Sequence, residues 1–132
     1  MDVRSVEDIA PVAEHNGTTN VWWLVPPREM YEQSAGGHLE LIAEWEVQGG
    51  GEVFPHSHPT HEYYYIISGR GFINIEGDER AVQAGDLVYI PPDKVHSARP
   101  ATTNASLRAV SFAVGVPGAD PIDYTNHDAP GA

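Results

Sequence analysis

The stretch Gly50-Gly51-Glu52-Val53-Phe54-Pro55-His56-Ser57-His58-Pro59-Thr60-His61-Glu62 packs a turn, a strand and three potential metal ligands into thirteen residues. Residues 56 and 58 are two apart on a predicted strand, Glu52–His58, so both imidazoles point to the same face. Pro59-Thr60-His61 reads as a turn or bulge that returns Glu62 to that face on the next strand. A further histidine, His96, follows one hairpin later, near the start of another predicted strand. Imidazole nitrogens with one carboxylate oxygen suit a single divalent transition metal: Fe, Mn, Zn, Ni or Cu. On an octahedral ion these four ligands would leave two positions for substrate, water or dioxygen.

Working outward, turn signals recur at short intervals: Gly36-Gly37, Gly49-Gly50-Gly51, Ser68-Gly69-Arg70-Gly71, Glu76-Gly77-Asp78, Ala84-Gly85-Asp86 and Pro91-Pro92-Asp93. The runs between them are rich in Val, Ile, Tyr and Phe, which is the punctuation of an all-β sandwich or barrel. From His38 to Val47 the period of two is clear. Leu39, Leu41, Ala43, Trp45 and Val47 share one face; His38, Glu40, Ile42, Glu44 and Glu46 share the other, expected to be mostly wet. Further strands are predicted at Val21–Val25, Glu62–Ser68, Gly71–Glu76, Glu79–Gln83, Leu87–Ile90, His96–Ala98 and Ser106–Val114. Val6–Ala13 reads as a short helix or an irregular arm. The Pro/Gly/Asp-rich tail is expected to be ordered only where Ile122 and Tyr124 dock. His96 is then expected to close the metal site from across one compact barrel.

The chain has 132 residues, the size of one domain. The core is expected at about 38–114, with an N-terminal arm over 1–20 and a tail over 115–132. Nineteen acidic residues against seven Lys and Arg give a formal charge of -12, which disfavours nucleic acid as a partner. Arg28, Arg99 and Arg108 are the arginines that could meet an anionic substrate. No cysteine is present, which removes disulfides and thiolate chemistry. No apolar run is long enough to span a membrane and no signal-like N-terminus is apparent, so a cytoplasmic protein is expected.

The motif has a family. Gly50-x5-His56-x-His58-x3-Glu62-x6-Gly69 matches the first cupin motif without a gap, and Gly85-x5-Pro91-x-Asp93-x2-His96 follows as the second. Asp93 stands where a glycine is usual and Pro100 where an asparagine is usual; neither position is a ligand in the family. From Leu39 to Val114 the chain thus resembles a small single-domain cupin. That resemblance implies a conserved jelly-roll β-barrel (RmlC-like) with His56, His58, Glu62 and His96 on the metal. It does not choose among dioxygenase, decarboxylase, isomerase and lyase.

Around the ligands, alternation puts Tyr64 and Ile66 on the metal face and Tyr63 and Tyr65 outside. Tyr64 there either hydrogen-bonds a substrate and moves a proton, or fills the barrel. A tyrosine at this place also resembles that of the cupin dimethylsulfoniopropionate lyases, and Tyr124 would be the second tyrosine of that group. Tyr31, Trp22 and Arg108 are further candidate substrate contacts, and an aromatic cage from Trp22, Trp23, Tyr31 and Tyr89 is conceivable. His61 is expected to point away from the metal; His15, His38 and His127 are expected to be exposed. The segment Pro26–Gly37 is a candidate lid.

The functional expectation is a metal-dependent enzyme that binds a small carboxylate or carbonyl substrate, with Tyr64-assisted proton transfer of the lyase or isomerase type. An Fe(II)-dependent dioxygenase and a non-catalytic small-molecule sensor are the alternatives. Tyr63, Tyr65, Trp22 and Trp23, if outward, form an aromatic patch that points to a homodimer.

Overall fold

Residues 2, 4–31, 34, 38–119 and 124–127 are described by the structure, a computed structural model. Short, β-branched and aromatic segments between glycine turns pair into two antiparallel sheets, as the punctuation predicts. The strands are β1 Val12–Glu14, β2 Thr19–Val25, β3 Leu39–Val47, β4 Val53–Ser57, β5 Thr60–Ser68, β6 Arg70–Ile75, β7 Asp78–Gln83, β8 Leu87–Ile90, β9 His96–Pro100, β10 Leu107–Gly115 and β11 Thr125–Asn126. One sheet has the order β1-β2-β3-β10-β5-β8 and the other β11-β4-β9-β6-β7. The all-β expectation holds. The N-terminal arm is a single 3-10 turn at Val6–Asp8 followed by β1, which pairs with β2 through Val12 and Val21.

The inner faces meet in a core that includes Ile66, Ile90, Leu107, Val47 and Trp45. Tyr64 and Ile66 are buried and Tyr65 is 44% exposed, so β5 alternates as predicted. On β3 the alternation breaks. Leu41 pairs with Ala113 and Leu39 with Val114, leaving Glu40 as an extra, unpaired residue, a bulge. Glu40 and His38, expected on the wet face, are therefore buried.

Two more irregularities shape the interior. Between Val53 and His56 there are three residue steps on β4, against two from Ala98 to His96 on β9. That extra residue turns His56 to the same side as buried Val53. Asp93 adopts φ 64° in the turn before β9, the left-handed conformation for which the family's glycine is suited and which Asp tolerates. Ile122 and Gly36-Gly37 lie outside the described residues, as does part of the proposed lid over Pro26–Gly37.

Candidate metal centre

His56 and His96 face each other as register partners on neighbouring strands, their ring centroids 4.1 Å apart. His96 is thus beside His56 in one sheet; it does not reach over from the far side. The ligand that crosses the barrel is Glu62, carried by β5 in the opposite sheet. His58 has left β4 and sits in the two-residue turn to β5, with Nε2 3.1 Å from Glu62 Oε1. One ligand atom from each of the four residues lies within 4.8 Å of all the others. Atoms each about 2.1 Å from one ion stand roughly 3 to 4.2 Å apart, so the cluster needs only a small inward shift of its side chains to hold one.

Imidazole orientation gives the stronger test. His56 Nδ1 is 2.8 Å from the Phe54 carbonyl and His96 Nδ1 2.8 Å from the Lys94 carbonyl. A carbonyl can only accept, so Nδ1 carries the proton and Nε2 is left as a lone pair. Thr60 Oγ1 lies 2.8 Å from His58 Nδ1 and orients that ring, and as a hydroxyl it can accept the Nδ1 proton. His96 Nε2 is buried with no hydrogen-bond partner, 3.4 Å from Glu62 Oε1. A buried lone pair without a donor is costly unless something electrophilic fills the space. The donor set therefore fits a divalent transition metal.

Electrostatics agree. Burial, with His96 beside it, pushes His56 down to about 3, so its ring is neutral. Burial alone would raise Glu62, but the His58 and His96 rings beside it bring it down to about 2, and it stays a carboxylate. Tyr64 is pushed well above its ordinary value by burial, with the Glu62 and Tyr124 oxygens adding to the effect. As it stands, Tyr64 is a phenol.

The cluster opens into a cavity of about 580 Å³ lined by Trp23, Trp45, Phe54, Tyr64 and Tyr124, among others. Tyr124 stacks on His56 with centroids 4.9 Å apart. It is held there by β11, which pairs Thr125 with Ser57 and Asn126 with His56. Burial and the Glu14 and Glu62 carboxylates raise its phenol.

Other candidates lie elsewhere. Arg108 stacks over Trp22 at 4.9 Å and pairs with Glu44 at 2.8 Å, on the outer face of the sheet. Tyr31 packs edge-on to His38 beneath Arg28 and is not among the cavity residues. Arg99 lies over Phe72. Trp22 and Tyr89 face outward while Trp23 lines the cavity, so the imagined aromatic cage does not form.

Trp23 also leaves the outer patch, because β2 alternates and Trp22 takes the outer position. His61 does point away, with Nδ1 2.7 Å from the Tyr89 hydroxyl. His38 is buried, contrary to expectation. His15 is half-buried on the cavity wall, where it accepts the Phe54 amide, and His127 is half-buried beside Ser57.

Sequence reasoning missed Glu40, Glu14, His15 and Thr60 as cavity residues. Thr60 was inside the quoted turn, but nothing in composition says that its hydroxyl holds His58.

Comparison with known proteins places these features. An uncharacterized protein of Methanocaldococcus jannaschii is 38% identical over 61 residues, 46% of this chain and 49% of that protein. Dimethylsulfoniopropionate lyase DddW of Ruegeria pomeroyi is 33% identical over 66 residues, 50% of this chain and 40% of that enzyme. The matched stretches thus span less than half the length of either relative. Among solved structures, a protein of Thermotoga maritima described as a predicted oxalate decarboxylase superposes with a TM-score of 0.72 at 25% identity, over 88% of this chain and all of the other. The cupin-domain family model matches residues 43–113, and the chain belongs to the cupin family.

Proposed function

We propose that this chain is a single-domain, metal-dependent cupin enzyme, active as a homodimer, that eliminates or isomerises a small carboxylate or carbonyl substrate. The observation that carries the reading is the convergence of three imidazoles and one carboxylate beside a buried tyrosine at a single cavity. His56, His58, Glu62 and His96 would hold the ion. Bound there, a divalent cation supplies positive charge that polarises a substrate oxygen and offsets the Glu62 charge that now raises Tyr64.

The protein residues do the rest. Trp23, Trp45 and Phe54 exclude water along the cavity wall. Tyr64 Oη moves the proton: with the cation's charge in place it would first release its own proton to solvent, and the phenolate then takes one from the carbon next to the substrate carboxyl group as a double bond forms and the leaving group on the following carbon departs with its electron pair. Tyr124 closes the site over His56. The lyase relative supports this reaction class and makes dimethylsulfoniopropionate the first of a panel of β-substituted acids to assay.

The test is turnover of that panel by protein loaded with Mn, Ni or Zn, under strict anaerobiosis. Turnover without dioxygen is expected. Strict dependence on Fe(II) and dioxygen would contradict the proposal in favour of a dioxygenase. Ligand binding with no turnover under either gas would identify a sensor.

A further inference from the structure

Among the described residues Glu40 is the most completely buried acid, at 1% exposed, and the reaction above does not use it. It lines the same cavity as His56, His58 and Glu62. One of its oxygens, Oε2, is held by His38 Nε2 in a short contact; the other, Oε1, is buried with no hydrogen-bond partner. Leaving a carboxylate oxygen unpaired in the interior is costly, and an apolar side chain at this place would avoid that cost.

The surroundings are built to keep Glu40 inside. The β3 bulge turns it inward. His38, 4% exposed, packs edge-on against Tyr31 at 5.0 Å. Gly115 donates its amide to the His38 carbonyl at 3.0 Å, and a Cβ on Gly115 would collide with the His38 ring.

Position and charge say what Glu40 would meet. Ala113 pairs with Glu62 on one side and with Leu41 on the other. Glu40 therefore stands two strands across the sheet from Glu62, with the backbones roughly 10 Å apart, the span of a small bifunctional molecule. Among the described residues, the cavity is lined by Glu14, Glu40 and Glu62 and by no Lys or Arg. An anionic group away from the four-ligand cluster would find no cation. A hydrogen-bond donor would find Glu40.

We propose that Glu40 is a second anchoring point, taking an N–H or O–H donor, an ammonium or a hydroxyl, at the end of the substrate remote from its carboxylate or carbonyl. His38 is a positioning residue that leaves Oε1 as the oxygen facing no other partner. The proposal rests on the reading that the four-ligand cluster holds an ion and, through it, the oxygen-bearing end of the substrate.

The experiment is calorimetric titration of Ni-loaded protein with straight-chain acids of three to five carbons, each as the plain acid, the ω-hydroxy acid and the ω-amino acid. At one chain length, a donor-bearing acid is expected to bind at least about tenfold tighter than its plain counterpart, the gain typical of a hydrogen bond to a charged group. Which donor gains tells ammonium from hydroxyl. In Glu40→Leu the advantage should vanish, and in Glu40→Gln, which keeps an acceptor oxygen without the charge, it should shrink, while the plain acid binds as before. Gly115→Ala, which displaces His38 and leaves the acid in place, should reduce it. Equal binding of all three acids to the wild type, or an advantage that survives Glu40→Leu, overturns the role of Glu40 and leaves the metal reading standing. Failure of every acid to bind overturns both. Strand content by circular dichroism checks that each variant is folded, and Gly115→Ala supplies the second route should Glu40→Leu not fold.

Discussion

At the scale of single residues, the account depends on which atom of each ring faces inward. Carbonyl acceptors at Phe54 and Lys94 take the Nδ1 protons of His56 and His96, and this leaves Nε2 for an ion. Tyr64 is different in kind, because burial and Glu62 hold its proton on. If Tyr64 takes the substrate proton during turnover, Tyr64→Phe should lower kcat by at least about 100-fold, the lower end for a general acid–base group. Ion content of the variant, measured by elemental analysis, should be unchanged. Activity close to wild type would remove Tyr64 from the reaction and leave it as barrel packing.

At the scale of elements, bulges and turns aim the site. The bulge on β4 brings His56 beside His96, and the bulge on β3 brings Glu40 inside. Gly69 ends β5 at φ 86°, with the Ser106 carbonyl where a Cβ would stand. Gly69→Ala should therefore destabilise the fold by about 1–3 kcal/mol, seen as a lower urea midpoint at unchanged slope. A midpoint equal to wild type would mean that the turn relaxes freely. Leu107 on β10, fully buried, offers a comparison: Leu107→Ala should cost about 2–5 kcal/mol through the cavity it leaves.

The same element scale shows what the sequence could and could not disclose. Turn punctuation and a period of two revealed the strands, and motif spacing revealed the four residues that cluster, because both are patterns in the sequence itself. A bulge inserts one residue by pairing with a distant strand, and no local pattern records it. Glu40 was read as wet for that reason. Trp22 and Trp23 look alike in sequence, and only the pairing of β2 with β3 sends one outward and the other into the cavity. Arg108 was a candidate by charge alone, and Glu44 across the strand pair claims it.

At the scale of the whole molecule, proton linkage sets how acid affects it. His56 falls from 6.5 to about 3 on folding and Glu62 from 4.5 to about 2. Both bind fewer protons folded than unfolded, so their contributions are complete above those ordinary values and decline as pH falls. The melting temperature of ion-free protein should start to drop below about pH 6.5, as unfolded His56 gains a proton, and drop further below about pH 4.5. A profile flat from pH 8 to 4 would contradict burial of these groups.

The outer face of β10, β5 and β8 presents Tyr65, Leu87 and Tyr89, each more than 40% exposed, beside Tyr63 stacked on Phe112. Such a patch suits a second copy of the chain. Light scattering should give about twice the 14.4 kDa of one chain, and a monomer mass would argue against the dimer. Among the described residues no helix is long and apolar enough to cross a membrane.

We expect His56, His58, Glu62 and His96 to hold one divalent ion. Calorimetric titration of chelator-stripped protein with Ni(II), wild type beside His96→Ala and Glu62→Gln, tests it most directly. One equivalent bound by the wild type is expected, with an affinity at least about tenfold weaker in both variants. Absence of binding by the folded wild type, or equal binding by all three proteins, would contradict it.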